Sequence, residues 1–147
     1  MENGEDPKIF QLFNEIGIID QLTRARLERS LPDGLKISQF GVLNHFVRLG
    51  GHWSPNRLAK AFQVTKAAMT NTLQRLEHRG LIEIQPDPND GRAKIVEITE
   101  AGRQMRMRCL EKMSPMIKEM SDILSGHDLD IALPILTNIR KYLDENR

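Results

Sequence analysis

Between Thr65 and Arg79 the chain runs Thr-Lys-Ala-Ala-Met-Thr-Asn-Thr-Leu-Gln-Arg-Leu-Glu-His-Arg, a set of side chains suited to reading base edges. Wound as a helix at about 100° per residue, Met69, Leu73 and Leu76 form one apolar stripe. Ala67, Thr70, Asn71, Gln74 and His78 fall on the opposite side, flanked by Lys66 and Arg75. Asn and Gln amides can pair with two atoms of adenine at once. A Thr hydroxyl can donate or accept and its methyl can touch thymine, and a small residue such as Ala67 permits close approach. Lys66 and Arg75 are placed for phosphates on either side. A helix face that is merely solvated carries more Glu and Lys; here Glu77 is the only acid between Thr65 and Arg79. A second group, Asp87-Pro88-Asn89-Asp90-Gly91-Arg92, puts an arginine just after a turn, with Asp90 near enough to hold it. An arginine on a protruding ribbon suits the negative potential of a narrow minor groove. Taken alone, a segment of Asp, Gly and Arg is simply a turn.

Other chemistries find less support. His45, His52, His78 and His127 are scattered and lack the short paired spacing of zinc ligands, so no metal and no cofactor is expected. Cys109 is the only cysteine, which excludes an intrachain disulfide. A redox role for it competes with the ordinary behaviour of free Cys as a small buried hydrophobe. Met105, Met107, Met113, Met116 and Met120 could line an adaptable pocket, but a Met stripe at helical spacing is more often core or interface. There is no Gly-rich phosphate loop, no Gly-x-Ser-x-Gly elbow and no His-Glu-x-x-His, so the chain does not read as an enzyme.

The elements that must position these residues follow from periodicity. Ile9, Leu12, Phe13, Ile16 and Ile19 predict a long amphipathic helix after a frayed tail of residues 1–7, stopping near Leu31-Pro32-Asp33-Gly34. Ile37, Phe40, Leu43, Phe46 and Val47 predict a second helix ending at Gly50-Gly51. Ser54-Pro55 is a helix start, with Ser as N-cap and Pro in the first turn, and Leu58, Ala59 and Phe62 face a core. Gln63-Val64-Thr65 is a tight turn into a helix from about Lys66 to Arg79, closed by Gly80 as a left-handed cap. Leu81 to Gln85 and Ala93 to Ile98 then read as a β-hairpin around a six-residue loop. Thr99 opens a long helix carrying Met105, Cys109, Met113, Ile117, Met120 and Leu124, broken at Ser125-Gly126. A last helix runs from about Leu129 to Leu143. Pro115 and Pro134 predict a kink or break in the last two helices. The order helix, turn, helix, hairpin in the middle is that of a winged helix-turn-helix, whose second helix enters the major groove.

The 147 residues are 39% hydrophobic and 28% charged, ordinary for one globular domain with a core of its own. The net charge of +1 argues against a polybasic binder but hides a segregation. Residues 54–94 carry 7 basic and 4 acidic side chains, whereas residues 1–53 carry 6 and 7 and residues 95–147 carry 8 and 9. No apolar run approaches the roughly 18 residues that span a bilayer, and the acidic N-terminus has no apolar signal core. A cytoplasmic protein with no membrane partner is expected.

These segments resemble those of the MarR family of transcriptional regulators. The resemblance rests on Arg57-Leu58-Ala59 and on Val64-Thr65 opening the recognition helix. It continues through Leu76-Glu77-His78-Arg79-Gly80-Leu81-Ile82 and Asp87-Pro88-Asn89-Asp90-Gly91-Arg92 to Ile98-Thr99-Glu100-Ala101-Gly102. It implies a mostly α fold with a small β-hairpin wing, within a single region over residues 8–147. The winged helix-turn-helix would occupy 36–98, and the helices of 8–31 and 99–145 would dimerise. It implies a homodimer bound to double-stranded DNA at a pseudo-palindromic operator, usually repressing transcription and released by a small ligand. Carried over, Thr65, Lys66, Ala67, Thr70, Asn71, Gln74 and Arg75 would meet DNA from the helix, and Arg92, supported by Asp90, would enter the minor groove. An aromatic or phenolic effector would lie between the dimerising helices and the winged helix, near Phe13, His45, Phe46 and Met105. Two positions depart from the family: Ile84 stands where many members carry a basic residue, and Lys36 where a capping Ser or Thr is common. With the modest charge, Ile84 leaves open a different class, a winged-helix dimer that serves as a protein-interaction or sensor module without an operator.

Overall fold

The computed structural model describes residues 5–147, which form six α-helices and one two-stranded antiparallel sheet. The helices are α1 (Lys8–Ser30), α2 (Ile37–Leu49), α3 (Pro55–Phe62), α4 (Lys66–His78), α5 (Glu100–Ile123) and α6 (Gly126–Glu145). The strands are β1 (Ile82–Asp87) and β2 (Asp90–Ile98). The mostly α architecture with a small wing is the expected one. Of the expected N-terminal tail, residues 1–4 lie outside the described residues, and residues 5–7 are exposed and non-helical. Two compact units divide the chain, one ending at Lys112 and the other spanning Met113–Arg147.

In the first unit the core is built from α2, α3, α4, the wing and the first part of α5, with Met105 and Cys109. Val42, Leu43, Leu58, Leu76 and Val96 are completely buried, and Phe46, Met69, Leu73 and Ile82 nearly so. Burying each such side chain is worth about 1.5–3 kcal/mol relative to exposure. The buried face of α2 is Gln39, Val42, Leu43, His45 and Phe46, rotated from the expected one, so that Val47 is exposed. Helix α2 begins without a side-chain cap from Lys36, an ammonium that cannot accept; the Gln39 amide oxygen instead accepts from the Lys36 backbone N–H at 3.1 Å. Helix α1 buries none of its residues, and Ile9, Phe10, Ile19 and Leu22 are more than half exposed.

The hairpin departs from the expected one. Strands β1 and β2 pair Ile82 with Ile98 and Pro86 with Lys94, and then Asp87 with Asp90. The loop is therefore a two-residue tip, Pro88-Asn89, and the extra residues Gly91, Arg92 and Ala93 form a bulge on β2. Pro86 has no N–H to give a ladder, which makes this point of the sheet a natural site for irregular pairing.

The other helix ends also show the local chemistry. Helix α6 starts three residues before the expected Leu129, because Ser125 caps it and Asp128 returns the bond to the Ser125 N–H at 2.9 Å. Neither Pro115 nor Pro134 breaks its helix. Each removes one intrahelical hydrogen bond and crowds the carbonyl four residues back, yet the helical turns continue on either side.

Candidate nucleic-acid interface

Helix α4 is fixed at both ends. The Thr65 hydroxyl accepts from the Ala68 N–H at 3.1 Å, satisfying a donor that the first turn leaves free. At the other end Gly80, at φ +72°, lets the chain turn back. The Leu81 N–H reaches the Leu76 carbonyl at 3.0 Å and the Gly80 N–H the Glu77 carbonyl at 2.9 Å, a Schellman closure. The inward stripe is Met69, Leu73 and Leu76, as the periodicity predicts. Thr65, Lys66, Ala67, Thr70, Asn71, Gln74, Arg75 and His78 are all exposed. The Arg75 guanidinium leans on its own helix, with Nε 3.4 Å from Asn71 Oδ1, so these two side chains are presented together.

The wing is locked to α4 and α5 by one threonine. Thr99 Oγ1 donates to the Gly80 carbonyl at 2.7 Å and accepts from the Gly102 N–H at 3.0 Å. A side chain at Gly102 would collide with the Leu81 carbonyl oxygen and the Ile98 side chain, so the start of α5 can lie against the wing base only with glycine there. At the tip, Asp87 accepts from the Asn89 N–H at 2.8 Å and Asp90 from the Arg92 N–H at 3.0 Å. Asp90 thus supports Arg92 as expected, but through its backbone amide rather than its guanidinium.

Wing and helix enclose a hollow of about 410 Å³, bordered by Pro55 of α3, Thr70 and Gln74 of α4, and Arg92 and Lys94 of β2. Seven of the nine expected DNA contacts, Thr65, Lys66, Ala67, Thr70, Asn71, Gln74 and Arg75, thus lie on one exposed helix face, and Arg92 stands across the hollow. Lys94 was not among the expected contacts. It borders the hollow together with Arg92 because the bulge turns the whole run of residues 91–94 toward it, which strand alternation in the sequence does not reveal. Ile84, the departure noted at the wing base, borders the same hollow.

The four candidate effector contacts are not gathered in this way. His45, Phe46 and Met105 are packed in the core at 7%, 2% and 8% exposure, and Phe13 lies on α1 at 43%. None of the four borders the hollow at the wing or the two others along α4. The family resemblance made them candidates, and packing buries three of them in the single chain. Cys109 is completely buried, and burial pushes its thiol above the ordinary range despite Arg108, Arg79 and Arg106 nearby.

Residues 33–93 match the sequence profile of the MarR family. The multiple antibiotic resistance protein MarR of Salmonella typhimurium is 33% identical over 109 residues, which cover 69% of this chain and 75% of that protein. The chain belongs to the MarR family. Another relative is the HTH-type transcriptional repressor NicR of Pseudomonas putida, 33% identical over 97 residues; the match spans 65% of this MarR-family chain and 59% of NicR. Among solved structures, wild-type MarR of Escherichia coli in its apo form superposes with a TM-score of 0.75 at 26% identity, covering 93% of this chain and 98% of that one. A mutant of the same protein complexed with operator DNA gives a TM-score of 0.72 at 26% identity, covering 90% and 95%. The winged-helix fold is thus shared over most of the chain.

Proposed function

We propose that this MarR-family protein is a homodimeric, sequence-specific DNA-binding regulator, a repressor that a small aromatic or phenolic molecule releases from a pseudo-palindromic operator. The observation that carries the DNA reading is the α4 face: exposed Thr, Asn, Gln, Lys and Arg with a single acid, opposite an arginine on the wing. Asn71 and Gln74 read base edges from the major groove, Lys66 and Arg75 meet phosphates, and Arg92 enters the adjacent minor groove. That a similar structure was solved in complex with operator DNA supports the DNA-binding reading.

The dimer reading is supported by surfaces that a lone chain leaves in water. Helix α1 exposes Phe10 and Leu22 at 54% and 62%, and α6 exposes Ile131, Leu133 and Leu143 at 52%, 58% and 55%. Exposed apolar area of this kind marks an interaction surface. Release follows from linkage: a ligand that prefers a dimer with the wrong separation of its α4 helices weakens DNA binding, and DNA weakens ligand binding by the same factor. Because His45, Phe46 and Met105 are already packed within the single chain, an effector reaching those residues needs that packing to open.

The test is a gel shift with the DNA upstream of the protein's own coding sequence. The expected result is a discrete complex whose affinity falls steeply with salt, as phosphate contacts require. Absent or salt-insensitive binding overturns the reading.

A further inference from the structure

His45 of α2 is 7% exposed, and its Nε2 is buried without a hydrogen-bond partner among the described residues. Aromatic rings take the place of polar partners. Trp53 stands edge-on to it at 4.4 Å between ring centres, and Phe62 lies at 5.2 Å. Trp53 is itself a strut. Its backbone pairs in both directions with Val96 of β2, at 3.0 and 2.8 Å, adding one residue to the edge of the wing sheet. Its indole N–H donates to the Gly50 carbonyl at 3.0 Å, and the Arg57 guanidinium of α3 lies 4.2 Å over its ring. One residue therefore ties the end of α2 and α3, through its side chain, to the strand that carries Arg92 and Lys94, through its backbone.

Such a packing suits only a neutral imidazole. An imidazolium would carry a buried Nε2–H with no acceptor among the described residues, under the repulsion of Arg48 and Arg57. The charges acting on His45 are Arg48 from its own helix and Arg57 from α3. The 50–54 connector offers it the Trp53 ring, with His52 as the neighbouring titratable side chain, and its partner on β2 is the uncharged Val96.

We propose that His45 is a positioning residue for DNA binding: neutral, it holds Trp53 and through it the wing beside α4, and protonated, it frees Trp53 and weakens the complex. This rests on the DNA-binding reading above. Burial first, then Arg48 and Arg57, hold the His45 pKa below its ordinary value of 6.5. The packed arrangement binds the proton less well than the released one. The strut is therefore fully stable above about pH 6.5, weakens as pH falls below it, and loses no more once the lowered pKa is passed.

Trp53 is the only tryptophan, so intrinsic fluorescence of the whole protein reports on the strut without DNA. Titration from about pH 8 to 5 should show a quenching step below pH 6.5 that His52→Gln retains and His45→Phe abolishes. A duplex selected from a random library at about pH 8 supplies the second readout. Parent affinity should fall about tenfold more than that of His45→Phe between pH 8 and 5.5. If circular dichroism shows that the Phe variant does not fold, the neutral amide of His45→Gln replaces it in both measurements. Equal pH slopes in parent and variant, or a fluorescence step that disappears with His52 instead, overturn the His45 proposal alone. Failure to select any duplex overturns the DNA reading, and the role of His45 with it, even when the Trp53 step is present.

Discussion

Asn71 and Gln74 sit one turn of α4 apart on its exposed side, and Arg75 leans on the Asn71 amide oxygen. A side chain already hydrogen-bonded to its neighbour loses less freedom on docking, so Asn71 and Arg75 act as a pair. Gln74→Ala should relax base preference at one position of each half-site by about 1–3 kcal/mol. Competition between duplexes that differ at that position measures it. Cys109 makes the opposite kind of prediction. Its buried, raised thiol should react with a maleimide far more slowly in the folded protein than after unfolding, and operator binding by Cys109→Ser should respond to hydroperoxide as the parent does. A fast-reacting native thiol would restore the redox reading. At this scale the sequence makes the exposed polar face of α4 visible, because helical periodicity alone separates Met69, Leu73 and Leu76 from Asn71 and Gln74. It makes Asp90 visible as the support of Arg92, but not the atom it holds, since spacing does not distinguish a backbone amide from a guanidinium. The strut of His45, Trp53 and Arg57 is invisible because its members belong to different elements and only packing brings them together.

The elements are positioned by a few bonds at their ends. Thr65→Ala removes the cap of α4 and should cost about 1 kcal/mol of folding stability, read from the urea midpoint at unchanged slope. Thr99→Val loses both the bond to Gly80 and the cap on Gly102, and should cost more than Thr65→Ala. Equal or smaller loss would show that the wing is held by its apolar contacts alone. Gly102→Ala should be worse than helix propensity suggests, since the methyl meets the Leu81 carbonyl. Start and stop signals were legible here because Ser54-Pro55, Thr65, Gly80 and Thr99 act on their own nearest turns. The hairpin was less so: a proline without an N–H and a bulge at residues 91–93 are properties of two strands together, and the dense turn signal of 86–91 covered a loop of only two residues. Pro115 and Pro134 show the converse, a strong local signal outweighed by the helix on both sides.

For the whole molecule, the charge distribution and the apolar distribution are complementary. The 7 basic and 4 acidic residues of 54–94 belong to the α3, α4 and wing segment, whereas the largest exposed apolar side chains lie on α1 and in the Met113–Arg147 unit. On the proposed reading, such a chain is one half of a dimer that offers its basic segment to DNA twice. Leu22→Asp on α1 should therefore shift sedimentation from dimer to monomer and weaken DNA binding together. A monomer that binds as tightly as the parent would separate the two properties. The most direct measurement is selection of duplexes from a random library by the intact protein, followed by titration of the enriched sequence in increasing salt. The expected result is an inverted repeat with half-sites about one helical turn apart, bound with a steep salt dependence that is lowered in Arg92→Ala. No enriched sequence, or binding indifferent to salt and to Arg92, would contradict the reading of α4 and the wing as a DNA interface.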